Sequence, residues 1–100
     1  MPKVAVRTHA GVRYVYYHCP GCSRLHCVPA DRWSWNGDTD RPTLSPSVRH
    51  FIPASEHRPE KTLCHYFVRD GRMEFCGDSA HALAGQAVNL VEPTGVPDDS

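Results

Sequence analysis

The motif Cys19-Pro20-Gly21-Cys22 constrains this chain more than any other feature of its sequence. Two thiols three positions apart on a tight turn can both bind one metal ion, and Gly21 lets backbone amides approach the sulfurs. The same spacing occurs in thioredoxin-like redox centres, but those place the pair at the start of a long helix. Here the flanking residues favour strands, so the motif predicts a metal-binding turn at the tip of a hairpin.

A structural Zn²⁺ takes four ligands in a closed tetrahedron, so this turn needs two more from elsewhere in the chain. Five further residues are candidates: His26, Cys64, His65, Cys76 and His81. Successive side chains of a regular strand point to opposite faces, so at most one of Cys64 and His65 is expected to bind. His26, four residues after Cys22, would complete the site locally.

The composition limits what else the chain can do. Its 100 residues suit a single domain, and its five cysteines, an odd number without a secretory leader, argue against a disulfide framework. The net charge is zero, which does not favour nucleic-acid binding. Such binding is still possible through residues 1–50, which are more basic than the rest of the chain. No apolar run reaches the ~20 residues of a membrane span. We expect an intracellular domain without membrane contact.

Alternating apolar residues predict strands over residues 3–7 and 12–18, where Val12, Tyr14 and Tyr16 share one face. A second hairpin is predicted over residues 62–76, with Asp70-Gly71 as its two-residue turn. Its register places five side chains on a core face: Cys64, Tyr66, Val68, Met73 and Phe75.

A short helix is predicted over residues 79–85, because Asp78 or Ser79 can cap it and Gly85 can end it. The fold class is therefore mostly β, a small α+β domain of antiparallel hairpins with one short C-terminal helix. Residues 1–91 are expected to form this zinc-stapled domain, and residues 92–100 a flexible acidic tail.

Catalytic signatures are weak, and no catalytic residue is assigned from the sequence. The His-Glu-x-x-His motif, the zinc deaminase pattern and a phosphate-binding glycine loop are all missing. Asp38, Glu74 or Asp78 could act as a base beside an open metal position, but their spacing does not select among them.

Several segments in order resemble a family of small proteins encoded by phages and prophages. They are CPGC, WSWNGD, RPTLSPSV, CHYFVRDGRMEF and GDSAHALAGQAVNL, and together they extend over residues 17–90. The resemblance implies a compact zinc-ribbon-like domain in the cytoplasm of a host bacterial cell, and it carries no activity over. Its pattern matches six candidate metal residues: Cys19, Cys22, His26, Cys64, His65 and His81.

The chain departs from that pattern near its C-terminus. Family members carry Asp-Cys-Thr-His where this chain has residues 78–81, and an aliphatic residue in place of Cys76. The simpler interpretation is that the family's cysteine at position 79 is not a ligand; otherwise Cys76 replaces it. The predicted zinc ligands are then Cys19, Cys22, Cys64 and His81, with His26, His65 and Cys76 as open alternatives.

Two functions follow as hypotheses. The first is a non-enzymatic, zinc-stapled binding module that engages a host protein, for example to inhibit host defence. The alternative is a small metal-dependent hydrolase or nuclease, which requires a metal position open to water. A closed four-ligand site favours the first hypothesis.

Overall fold

The computed structural model describes residues 1–100 as two antiparallel sheets without any helix. The first sheet contains three strands in sequence order, β1 (Ala5–His9), β2 (Val12–Cys19) and β3 (Arg24–Pro29). The second contains five, β4 (Ser34–Trp35), β5 (Leu44–Ile52), β6 (Lys61–Arg69), β7 (Arg72–Phe75) and β8 (Ala87–Asn89). Accordingly, no helix is long and apolar enough to cross a membrane.

The core contains buried side chains from both sheets. On β2 the buried residues are Val15, Tyr17 and Cys19, and on β6 they include Cys64 and Tyr66. The Tyr17 and Tyr66 hydroxyls lie 2.6 Å apart within the core. Each buried hydroxyl therefore has a hydrogen-bond partner in place of water.

The predicted hairpin over residues 62–76 is confirmed. Tyr66 pairs with Phe75 and Val68 pairs with Met73, as the alternation indicated. Its turn residues Asp70 and Gly71 have φ values of 51° and 78°. A two-residue hairpin turn of type I′ requires positive φ at both positions. All five side chains predicted on its core face are buried.

The α+β class and the helix predicted over residues 79–85 are wrong. In place of a helix, this segment forms two consecutive tight turns. The Ala84 N–H donates to the His81 carbonyl at 3.2 Å, and the Gln86 N–H donates to the Leu83 carbonyl at 3.0 Å. Each bond spans three residues, whereas an α-helix needs bonds that span four.

Tertiary contacts explain the missing helix. Both side chains expected to cap it are used elsewhere, because the Asp78 carboxylate and the Ser79 hydroxyl contact His65. The chain then turns back onto β7, where the Phe75 N–H donates to the Gln86 carbonyl at 2.9 Å. Sheet pairing through β8 therefore replaces the helix.

Strand β5 is irregular where it pairs with β6. Leu44 lies opposite Val68 and Val48 lies opposite Tyr66, so residues 45–47 face a single residue of β6. Such a bulge bends the strand and re-aims its side chains.

The C-terminal residues run along β1. The Ser100 N–H donates to the Thr8 carbonyl at 2.8 Å, and the Thr8 N–H donates to Asp99 Oδ1 at 2.6 Å. The flexibility expected of residues 92–100 stays a prediction.

Candidate active site and metal centre

Strand β6 carries two groups of reactive side chains on its opposite faces. Cys64 is fully buried and faces the three-stranded sheet, where it meets Cys19. His65, the next residue, points the other way and meets Ser47 and Asp78. The prediction that Cys64 and His65 face opposite sides is confirmed.

The cysteine cluster consists of Cys19, Cys22, His26 and Cys64, whose ligand atoms all lie within 4.8 Å of one another. The Sγ atoms of Cys19 and Cys64 are 3.8 Å apart. Two thiolates on one tetrahedral zinc, each at about 2.3 Å, have their sulfurs about 3.8 Å apart. The cluster is therefore able to hold a metal ion between the two sheets.

His26 belongs to this cluster and has one unpaired ring nitrogen. Its Nε2 is buried without a hydrogen-bond partner, a costly arrangement that a metal bond would relieve. The His26 ring stacks on His50 with 3.9 Å between the ring centroids, which fixes its orientation. His26 thus fits the role of a ligand.

His81, the histidine in the predicted ligand set, lies at the edge of the same cluster. Its Nε2 is 3.3 Å from Cys64 Sγ, and its Nδ1 accepts the Leu83 N–H at 3.2 Å. In a neutral imidazole, an accepting Nδ1 leaves the proton on Nε2, which then donates to the sulfur. A Cβ at Gly21 would lie 2.3 Å from the His81 ring, so only glycine leaves room for this histidine.

The cysteine cluster favours negative charge on one of its sulfurs, that of Cys19. A hydrogen bond from the Cys64 thiol lowers the pKa of Cys19 to about 3. The same contact with Cys19, together with burial, raises the pKa of Cys64. Binding of a divalent cation would therefore release the remaining thiol protons, as thiolate metal sites do.

The second group, here called the triad, consists of Ser47, His65 and Asp78. His65 Nδ1 lies 3.1 and 3.2 Å from the two Asp78 carboxylate oxygens, and His65 Nε2 lies 3.3 Å from Ser47 Oγ. A carboxylate on Nδ1 and a hydroxyl on Nε2 is the order of a catalytic Ser-His-Asp triad. Distances slightly beyond 3.2 Å are normal without substrate.

Ser79 places Asp78 beside the histidine. Its buried hydroxyl accepts the His65 N–H at 3.0 Å and donates to the His65 carbonyl at 2.9 Å. The Cys76 N–H also donates to that carbonyl at 2.8 Å. The segment that carries Asp78 is thereby attached to β6. Ser79 lies outside the cysteine cluster, so the departure from the family pattern at this position leaves that cluster intact.

Cys76 lies beside the triad. Its Sγ, a His65 ring nitrogen and an Asp78 oxygen lie within 4.8 Å of one another. Burial, with the nearby Asp78 charge, raises the pKa of the Cys76 thiol. Both Cys76 and His65, two of the open alternatives for the zinc site, thus belong to a different group from the cysteine cluster.

Sequence reasoning missed the triad. It considered His65 as a metal ligand and Asp78 as a base, and it gave Ser47 no role. Triads are recognised by geometry, because their members have no fixed spacing in the chain. The only sequence signal is the serine- and proline-rich segment around Ser47.

A cavity of about 520 Å³ adjoins the cysteine cluster. Its lining includes Cys22, Arg24, His26, His50, Leu63 and His81. This opening gives solvent access to one side of the cluster.

Comparisons with known proteins identify a bacterial family. A family model described as "Bacterial ubiquitination-like system serine protease (BubE)" matches residues 2–76, which include Ser47 and His65. Neither a curated protein nor a solved structure matches this chain. The match gives no support to the phage origin or the zinc-ribbon architecture that the resemblance implied. Because it covers most of the chain, the protein belongs to the BubE family.

Proposed function

We propose that this chain is a serine protease with Ser47 as nucleophile, His65 as general base and Asp78 as the carboxylate that orients the histidine. One observation carries the proposal: the two nitrogens of His65 lie between Ser47 Oγ and the Asp78 carboxylate. The description of the BubE family as serine proteases supports it.

The reaction uses this geometry directly. His65 Nε2 takes the proton of Ser47 Oγ as that oxygen attacks a substrate carbonyl carbon. The imidazolium then gives the proton to the leaving amine, and the peptide bond breaks to leave an ester on Ser47. Water, deprotonated by His65, hydrolyses the ester and regenerates the serine. Asp78 holds the ring through Nδ1 and stabilises its positive charge.

The bulge in β5 supports Ser47 in this role. The Trp33 indole N–H donates to the Ser47 carbonyl at 3.4 Å, which anchors the bulged backbone.

We further propose that the substrate is a protein of the bacterial ubiquitination-like system named in the family description. Cleavage would then occur at a peptide bond exposed in an extended segment of that protein. Ser47 and His65 are both partly exposed, so an extended polypeptide segment can reach them.

The cysteine cluster fits a structural Zn²⁺ bound by Cys19, Cys22 and Cys64 with one histidine. The unpaired Nε2 of His26 favours that residue as fourth ligand, and His81 would then donate to the Cys64 sulfur. Zinc there would stabilise the fold by on the order of 10 kcal/mol, as in zinc-finger sites. It would also hold β6, and with it His65, in place.

A metal-dependent hydrolase is the second candidate, because the cavity of about 520 Å³ opens onto the cysteine cluster. Engagement of a host protein by a non-enzymatic module stays a prediction of the sequence. The two enzymatic functions differ in which residue abolishes activity, and the binding module predicts no activity.

Hydrolysis of casein by the zinc-loaded protein and by two variants separates these functions. We expect Ser47→Ala to abolish hydrolysis, and the matched control Ser45→Ala, an exposed serine in the same bulge, to retain it. Hydrolysis that survives Ser47→Ala but stops when a chelator removes metal from the folded protein would support the metal-dependent hydrolase. Absence of hydrolysis in every protein, with no reaction of Ser47 toward a serine-directed fluorophosphonate, would contradict the protease.

A further inference from the structure

We infer that His65, Cys76 and Asp78 form a second metal site, at which a thiophilic divalent cation such as Zn²⁺ inhibits the triad. The inference that binding is inhibitory rests on the proposed protease function. The existence of the site rests only on the positions of the three side chains.

The donor set suits zinc. One sulfur, one imidazole nitrogen and one carboxylate oxygen lie within 4.8 Å of one another. Ligands on a tetrahedral zinc lie about 3.3–3.8 Å apart, so small side-chain rotations would close the three around a cation. Three protein ligands leave one position for water, as in open zinc sites.

The backbone already holds these ligands together. The Cys76 N–H donates to the His65 carbonyl at 2.8 Å, and the Ser79 N–H donates to the Cys76 carbonyl at 3.1 Å. Cys76 and Asp78 thus lie on one short turn fixed to β6. A site that needs little ordering loses little affinity to conformational entropy.

Binding at this site would inactivate the general base. The nitrogen of His65 that faces Asp78 is Nδ1, so a cation between them binds Nδ1. A neutral imidazole that is metal-bound through Nδ1 carries its proton on Nε2. The Nε2 that faces Ser47 Oγ is then a donor and cannot accept the serine proton.

The second site would be weaker than the cysteine cluster. Cys19 and Cys64 are fully buried in that cluster. At the second site the Asp78 side chain is 54% exposed and that of His65 is 25% exposed. Fewer thiolates and more water lower the affinity, so zinc would fill the cysteine cluster first and inhibit only when in excess.

Native mass spectrometry tests the site without reference to activity. Protein that carries one zinc is titrated with Zn²⁺, and we expect a second ion in the wild type that Cys76→Ala fails to bind. Cys27→Ala is the matched control, because Cys27 lies on β3 outside both groups, and it should bind the second ion like the wild type. Equal zinc stoichiometry in the wild type and Cys76→Ala overturns the second site.

The rate at which a fluorophosphonate labels Ser47 tests the inhibition. Excess Zn²⁺ should slow labelling of the wild type and of Cys27→Ala, and a mild chelator should restore it. Cys76→Ala should label at a rate that excess Zn²⁺ leaves unchanged. Equal zinc inhibition in Cys76→Ala overturns the proposal. If no protein is labelled but the second ion still depends on Cys76, the protease function fails and the metal site stands.

Discussion

The two faces of β6 carry different chemistry one residue apart in the chain. On the Cys64 face, buried thiols from two sheets meet beside an unpaired histidine nitrogen. On the His65 face, a partly exposed histidine lies between a serine and an aspartate. The first arrangement suits a group that must stay in place, and the second suits a group that must meet a substrate. Alternation along one strand is enough to separate the two.

If the Cys64 face maintains the fold, Cys64→Ser should have the largest effect on stability. Loss of one thiolate from the cysteine cluster should abolish tight zinc binding and with it a stabilisation on the order of 10 kcal/mol. Circular dichroism and zinc content of the purified variant measure this effect. Cys27→Ser is the matched control and should keep both the fold and the zinc. A folded Cys64→Ser protein without zinc would contradict the structural role of the cluster.

If the His65 face carries catalysis alone, Asp78→Asn should abolish activity but spare the fold. The asparagine amide would donate to Nδ1 and leave a proton on Nε2, so the turnover rate should fall by roughly 10⁴-fold. Hydrolysis kinetics measure the loss, and zinc content should equal that of the wild type. Asp70→Asn, in the hairpin turn, is the control that should retain full activity. Comparable rates in the two variants would exclude Asp78 from the triad.

The Cys64 face offers two histidines, His26 and His81, for the fourth ligand position. Because the Nε2 of His26 is unpaired, His26→Ala should lower zinc affinity more than His81→Ala does. Loss of a residue that only donates to a ligand sulfur typically costs about 10- to 100-fold in affinity. Competition with a chromophoric chelator gives both affinities. A larger loss in His81→Ala would reverse the two assignments.

Ser79 attaches the segment that carries Asp78 to β6 through the backbone of His65. Ser79→Ala removes two partly buried hydrogen bonds to the backbone of His65, which should cost about 1–3 kcal/mol of stability. Because Ser79 positions Asp78, kcat should fall while KM changes little, and Ser79→Thr should recover the rate by restoring the hydroxyl. Thermal unfolding and steady-state kinetics measure the two effects. A variant that is destabilised but keeps wild-type kcat would leave Ser79 a structural role only.

The features that depend on local spacing could be predicted from the sequence. The Cys19–Cys22 turn and the hairpin register over residues 62–76 both follow from residues close together in the chain. The alternation in β2 was less informative, because this strand is apolar on both faces. Its buried residues are Val15, Tyr17 and Cys19, which is the face opposite to Tyr14 and Tyr16.

The features that depend on tertiary contacts could not be predicted. Asp78 and Ser79 are good helix caps in isolation, and only their contacts with His65 show why no helix forms. Ser47 reaches His65 because a bulge in β5 presents it there, and nothing in the sequence pairs these two residues. Local spacing thus predicted the Cys19–Cys22 turn, whereas the contact between Ser47 and His65 required the fold.

The nucleophile can be identified directly by mapping the adduct of a serine-directed fluorophosphonate on the folded, zinc-loaded protein by peptide mass spectrometry. We predict a single modified residue, Ser47, whose modification is lost in His65→Gln but retained in Cys27→Ala. Modification of another serine, or none in a protein that holds zinc and is folded, would contradict the assignment of the nucleophile to the outer face of β6.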